Sequence, residues 1–275
     1  MASVDLYVVA AGNGSRINLS TPKALVPIAG EPCLTTTLRS IGSKFSRVFV
    51  VTNERMADSW CAYFEDFQEI NPHIGQNVIN LPIQSGLGDG HAALQGILSA
   101  EKLGNTSEEI VVAWGDVFFP NAEIIDELLS ARSAGSGLLP VILERDPYVS
   151  IHVNSRMQCV SADFSRYGEG NPSGFHDQSV FRFSRARLRS ALCNLHNCLW
   201  KNGRYITSAG ELTFLYSIHH LYNAGRPAYA YETKHRTLTF NTADDVLAVR
   251  RELGLLSRDP AQLECTALDR EAQLR

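Results

Sequence analysis

The sequence has little of what marks several large protein classes. No stretch approaches the roughly 20 apolar residues that cross a bilayer. There is no basic surplus. The formal net charge is −4 with histidine neutral, whereas general nucleic-acid binders carry an excess of Lys and Arg. Neither a membrane nor a nucleic acid is therefore an expected partner. The six cysteines (Cys33, Cys61, Cys159, Cys193, Cys198 and Cys265) are scattered, and none forms a CxxC pair. They read as reduced thiols of a cytoplasmic protein, not as a zinc site or a disulfide framework. The first apolar run follows Asp5 with no basic segment before it, so it reads as a strand and not as a signal peptide. Two nucleotide-loop signatures are also missing. There is no GxxxxGK[ST], and "AAGNGSR" does not complete GxGxxG. The second strand, "VFVVTN", ends in Thr52 and Asn53 without the acid that binds a ribose.

What remains is a chain of 275 residues, 44% hydrophobic and 20% charged, ample for a large α/β core. Buried-strand patterns at Asp5–Ala11, Arg47–Asn53, 76–82, Glu109–Asp116 and 137–145 alternate with helical patterns at Cys33–Ser43, Arg55–Phe67, Gly90–Gly104 and 122–135. That alternation predicts a parallel sheet flanked by helices. After residue 146 the pattern changes to a β-hairpin or meander, a turn at Gly168–Gly174, a strand at Gln178–Phe183, and amphipathic helices including Gly210–Gly225. The last helix pattern, Phe240–Gly254, opens with a cap, for which Asn241 and Thr242 are equal candidates.

The chemistry concentrates after the first strand. Gly12 and Gly14 let the backbone turn sharply and approach a ligand. Successive amides in such a turn form an anion-binding concavity. Arg16 and Lys23 add two cations, and Pro22 stiffens the approach to Lys23. A site of this composition suits a triphosphate whose charge grows as pyrophosphate leaves. In a parallel sheet, ligands sit beyond the carboxyl ends of the strands. Gly12–Arg16 and Gly115–Asp116 both follow strands, so they are expected on one edge. Asp116 ends a buried strand, where a carboxylate needs a cation; its competing role is to cap the helix that begins near residue 122.

These residues resemble the sugar-phosphate nucleotidyltransferases. "AAGNGSR" (Ala10–Arg16) and "TPKALVPIAGEPCL" (Thr21–Leu34) match their N-terminal signature, most closely that of the N-acetylglucosamine-1-phosphate uridylyltransferase domain. Methylerythritol-phosphate cytidylyltransferases continue differently after the lysine, and molybdopterin guanylyltransferases have a shorter spacer before it. "LGDGHAALQ" (Leu87–Gln95), "WGDVFF" (Trp114–Phe119), the stretch Asn202–Thr233 and "FNTADDV" (Phe240–Val246) resemble the family's nucleotide, metal and acceptor segments. The likeness touches most of residues 3–254, more weakly between Pro147 and Asn202.

The resemblance implies a Rossmann-like, mostly parallel but mixed sheet of the nucleotide-diphospho-sugar transferase type, with a small β-rich acceptor-binding flank. It implies one nucleotidyltransferase domain over 1–254, with a nucleotide-binding half (1–146), an acceptor-binding half (147–254) and a tail (255–275). The implied reaction joins an NTP, a pyrimidine by this likeness, to a sugar phosphate and releases pyrophosphate. Arg16 would stabilise the leaving pyrophosphate, Lys23 would bridge nucleotide and acceptor phosphates, and Asp116 with Asn241 would hold Mg2+. Nucleotide contacts would come from Ala10, Ala11, Gly12, Asn13, Gly14, Ser15, Gln84, Gly88 and Asp89. Asp177, Tyr205, Thr207 and Glu211 would line the acceptor pocket.

The departures fall mainly on the acceptor side. Asp89 replaces a threonine, Gln84 is displaced by one residue, "FHDQSVF" (Phe175–Phe181) replaces an amide-bearing segment, and Ser208 follows "YIT" where an acid is usual. They motivate two alternatives: a cytidylyltransferase acting on a non-sugar phosphate or phosphonate, and a silent nucleotide-binding protein of the same fold. No left-handed β-helix pattern follows, so the acetyltransferase half of the bifunctional enzymes is not expected. The partners are an NTP and a phosphorylated small molecule, with a homo-oligomer left open.

Overall fold

The computed structural model describes residues 3–12, 21–84, 86–132, 135–165 and 171–255. Strand β1 (Val4–Val9) leads through helix α1 (Cys33–Ile41) to β2 (Val48–Asn53). Helices α2 (Ala57–Ile70) and α3 (Pro72–Gly75) lead to β3 (Val78–Ile83), and α4 (Asp89–Lys102) leads to β4 (Glu109–Trp114). The short β5 (Val117–Phe118) and α5 (Glu123–Ser130) follow, then β6 (Gly137–Arg145), β7 (Val149–Val153), β8 (Cys159–Phe164), β9 (Ser173–Asp177) and β10 (Val180–Ser184). The remainder is α6 (Arg185–Leu199), the pair β11 (Trp200–Lys201) and β12 (Arg204–Tyr205), α7 (Tyr216–Asn223), β13 (Tyr229–Glu232), β14 (Leu238–Thr239) and α8 (Ala243–Glu252).

Ten strands form one mixed sheet in the order β3-β2-β1-β4-β10-β6-β9-β7-β8, with β13 beside β6. Strands β3, β2, β1 and β4 run parallel, as the βα alternation predicts. From β10 onward the pairings are antiparallel, apart from β13 on β6. Side chains alternate across each central strand. Leu6 and Val8 of β1, Val50 of β2 and Val111 of β4 enter a core packed by α1, α2 and α5. Tyr7, Val9, Val51 and Val112 enter the opposite core, under α4, α6 and α7. Burial on both faces explains why these strands read as continuous apolar runs.

The order 3-2-1-4 puts the topological switch between β1 and β4, whose carboxyl ends therefore open a crevice. Gly115 is needed at that point. A Cβ there would lie 2.7 Å from the Ala10 Cβ and 3.2 Å from the Ala24 Cβ. Its amide instead closes on the Val9 carbonyl at 2.8 Å.

Two helices fall well short of their predicted extent, and the one read over 122–135 ends at Ser130. Gly210–Gly225 reads as a single helix in sequence, but only Tyr216–Asn223 is helical. Residues 211–214 form a loop laid across the start of α4. The amides of Leu212 and Phe214 bond to the Leu87 carbonyl and the Asp89 carboxylate instead of turning into a helix. Part of the expected Gly168–Gly174 turn lies outside the described residues, and Ser173 and Gly174 already belong to β9. No helix among the described residues is long and apolar enough to cross a membrane. Their five cysteines are free.

Candidate active site

A cavity of about 370 Å³ opens at the switch point. Ala10, Ala11 and Gly12 line it from the end of β1, and Gly115 and Asp116 from the end of β4. Lys23 enters from the single 3-10 turn Lys23–Leu25 that Pro22 precedes. Its ammonium is the centre of the site. Nζ donates to Asp116 Oδ2 in an ion pair and to Asn241 Oδ1 at 3.0 Å, and it stands 5.4 Å from the centre of the Phe240 ring. Three segments separated by up to 218 positions thus meet on one cation.

Both alternative capping roles fall away. The cap of α5 is Ala122, with Asn121 Oδ1 accepting from the Glu123 amide, so Asp116 does not cap it. Thr242 caps α8 in a capping box with Asp245, which frees the Asn241 side chain for the cavity. Asp116 and Asn241 offer hard oxygens that already reach one shared cation, the arrangement a divalent ion uses when two protein ligands are supplemented by phosphates and water. Among the described residues no group of three or more His, Cys, Asp or Glu is arranged to hold a metal by itself.

The side wall comes from the "LGDG" segment. Gln84, Gly88 and Asp89 line the cavity. Gly88 has φ +95°, and a Cβ on it would run into the Leu212 carbonyl oxygen. Gly90 donates to that same carbonyl at 2.9 Å. Asp89 Oδ1 accepts from the Gly90 amide and from the Phe214 amide, both at 2.8 Å. The acid that departs from the usual threonine is therefore a brace between α4 and the 211–214 loop, as well as part of the wall. The brace carries Glu211 into the lining. Trp114 adds an aromatic wall, edge-on to Phe214 at 5.1 Å.

The far wall holds Asp177, whose Oδ1 accepts from the Ser179 amide at 2.8 Å. Burial pushes its carboxyl up from the ordinary carboxylate range. Two residues expected beside it are placed elsewhere. Tyr205 is 1% exposed and not part of the lining. Its hydroxyl sits between two imidazoles, 2.7 Å from His91 Nδ1 and 2.8 Å from His196 Nδ1, against Trp200. Thr207 bonds the amide and carbonyl of Glu211 and shapes that loop from behind. Both expectations are corrected on the same ground: their side chains are spent on holding the wall. Burial and the neighbouring His196 lower His91 to about 4, so it is neutral at pH 7.

Asn13, Gly14, Ser15 and Arg16 lie outside the described residues, as does the tail beyond Leu255. The structure adds lining residues that the sequence reading missed, among them Tyr148, Phe164, His176, Ser179 and Thr239. His176 and Ser179 flank the Asp177 already singled out. Tyr148 and Phe164 carry no local signal and reach the cavity only through the β7–β8 pairing.

A glycine-lined cavity centred on the Lys23 ammonium at the carboxyl ends of parallel strands is the setting of a nucleotide-binding α/β protein. The chain matches the family described as MobA-like NTP transferase domain over residues 6–195 and belongs to it, which makes it a nucleotidyltransferase by family. The bifunctional protein GlmU of Dinoroseobacter shibae is 33% identical over 138 residues, covering 50% of this chain and 28% of that protein. The chain thus spans well under two thirds of that relative. In fold, it is similar to HddC from Yersinia pseudotuberculosis, solved in complex with GMP-PN, at a TM-score of 0.63, 16% identity and coverage of 92% and 100% of the two chains. It is also similar to the inositol-1-phosphate CTP transferase from T. maritima, at a TM-score of 0.66, 15% identity and coverage of 91% and 96%.

Proposed function

We propose that the protein transfers a nucleotidyl group from a pyrimidine nucleoside triphosphate to a sugar phosphate, giving an NDP-sugar and pyrophosphate. The observation that carries this reading is the meeting of Lys23, Asp116 and Asn241 inside the cavity at the β1–β4 switch point. The reading treats residues 1–254 as one unit. Its nucleotide-binding half supplies Ala10–Gly12, Gln84, Gly88 and Asp89, and its acceptor-binding half supplies Asp177 and Glu211.

Phosphoryl chemistry of this kind needs positioning and charge neutralisation more than covalent help. Lys23 bridges the nucleotide α-phosphate and the acceptor phosphate, so the acceptor oxygen attacks in line. Arg16, with the amides of Ala11–Ser15, stabilises the leaving pyrophosphate. Asp116 and Asn241 would hold Mg2+, which would supply further neutralisation of the phosphates. The Lys23 ammonium sits on those same two oxygens, so it keeps the half-buried carboxylate paired until substrate draws it to phosphate.

The test is pyrophosphate release with magnesium, pairing UTP, CTP, dTTP, GTP and ATP with sugar 1-phosphates and polyol phosphates. Turnover with a pyrimidine triphosphate and a sugar phosphate, lost in Lys23→Ala, is the expected result. Turnover only with GTP would replace the base assignment. Turnover only with a polyol phosphate would favour the non-sugar acceptor. Nucleotide binding without turnover across the panel would leave a binding protein. Retention of chelator-sensitive turnover in Asp116→Asn would remove the metal assignment from Asp116.

A further inference from the structure

The cavity carries a second charged arrangement that the phosphate chemistry does not use. His176 on β9 lines the cavity, and its Nδ1 lies 2.9 Å from Glu144 Oε2 on β6. Arg236, from the loop before β14, pairs with the other oxygen of the same carboxylate. A relay thus runs from a surface arginine to an imidazole in the cavity wall. Glu144 is only 16% exposed. Burial by itself would raise its carboxyl, and the hydrogen bonds from Arg236 and His176 outweigh that and hold it below the ordinary carboxylate range.

The relay sets the tautomer of His176. An ionised carboxylate accepts hydrogen bonds and donates none. The proton of the His176–Glu144 bond therefore belongs to Nδ1, and Nε2 of the neutral ring keeps its lone pair. Among the described residues, Nε2 has no hydrogen-bond partner. Two other residues of the lining, Asp177 and Glu211, are carboxyl groups, and Lys23 is the only lysine or arginine among the described residues that line the cavity. Acceptor atoms recognise donors, and among the described residues a second anionic group on the substrate would find no cation beyond Lys23.

We propose that His176 is a specificity-determining residue of the acceptor end: its Nε2 accepts a hydrogen bond from a hydroxyl of a polyhydroxylated phosphate, with Glu144 and Arg236 as positioning residues. This rests on the transferase reading above for the location of the acceptor. It also names a substrate class, uncharged and hydroxyl-rich apart from its phosphate.

Binding and turnover separate the two readings. The protein is saturated with magnesium and the α,β-methylene analogue of the triphosphate that it binds most tightly. Glucose 1-phosphate, myo-inositol 1-phosphate and phosphocholine, which has no hydroxyl donor, are then titrated by calorimetry. At least one hydroxylated probe is expected to bind about tenfold tighter than phosphocholine, the worth of one desolvated hydrogen bond. His176→Phe should abolish that preference. His176→Gln, which keeps an amide oxygen near the Nε2 position, should restore part of it. Glu144→Gln, whose amide can donate to Nδ1 and move the ring proton to Nε2, should weaken the hydroxylated probe without touching it. Nucleotide affinity should stay within about twofold throughout, the value that folded, intact nucleotide sites predict.

Phosphocholine binding as tightly as the hydroxylated probes, no binding of any probe, or full hydroxylated-probe affinity in His176→Phe would overturn the assignment. Pyrophosphate release in the same mixtures, with the hydrolysable triphosphate, reads the reaction. His176-dependent binding without release would keep the assignment and sink the transferase reading; release indifferent to His176 would do the reverse.

Discussion

The two ends of the cavity are built from different kinds of chain. The end proposed for the phosphates stands on parallel strands, and its residues lie within a few positions of a strand end: Ala10–Gly12 after β1, Gly115 and Asp116 after β4. The end proposed for the acceptor stands on antiparallel strands and on loops held by side chains, with Tyr148, Phe164, His176 and Glu211 drawn from four separate segments. Strand ends in a parallel sheet leave glycine turns and cations as a compact local signature. A wall assembled across β6, β7, β8 and β9 leaves none. The lesson is that the strand-end part of the cavity is written locally and the opposite wall is written in pairings.

The sharpest break in this comparison is Lys23→Ala. It should lower kcat with every acceptor by about 10²–10³-fold, the scale for losing one preorganised charge at a reacting phosphate. The ratio between acceptors should hardly move. A changed acceptor ratio would show that the ends are not separable.

Gly88→Ala strikes the seam between the ends. Its φ of +95° and the Leu212 carbonyl leave no room for a Cβ. A stability loss on the order of 2 kcal/mol is expected in denaturant melts. Nucleotide and acceptor affinity should fall together, because Glu211 rides on the same loop. A loss confined to the nucleotide would separate that loop from the acceptor wall.

A smaller effect comes from acid. His91 is held neutral, with a folded value of about 4 against an ordinary 6.5. Its contribution to stability is fully present above pH 6.5 and is lost as pH falls toward 4, because the unfolded chain takes up a proton that the fold resists. His91→Asn should flatten that part of the stability–pH curve. An unchanged slope would assign it to the carboxylates.

The smallest expected change is Tyr205→Phe. Removing a hydroxyl shared by two imidazoles should cost about 1 kcal/mol of stability. Acceptor KM should stay as it is, because the ring lies behind the wall. A large rise in KM with unchanged stability would return Tyr205 to the acceptor pocket.

Much of the fold was legible in the residues. The parallel half followed from buried runs such as "LYVV" and "VFVV" alternating with amphipathic helices, because burial on both faces of a strand demands continuous apolar sequence. Gly210–Gly225 misled because its apolar spacing continues past the point where its backbone donors are claimed by Leu87 and Asp89. Tyr205 and Thr207 misled for a related reason. Polar side chains beside a site can serve the wall's own hydrogen bonds, and sequence does not show which way they turn.

By itself, the sequence determined the α/β class and the placing of Ala10–Gly12 and Gly115–Asp116 together at the carboxyl ends of β1 and β4. These depend on local backbone needs and on the period of burial, both of which operate over a few residues. Tertiary structure alone decided that Asn241 meets Lys23 across 218 positions, that Asp89 braces a distant loop, and that His176 lines the cavity with its Nδ1 against Glu144. Each of those is a contact between segments far apart in the chain. Their distances follow from strand order and register, which no local pattern encodes.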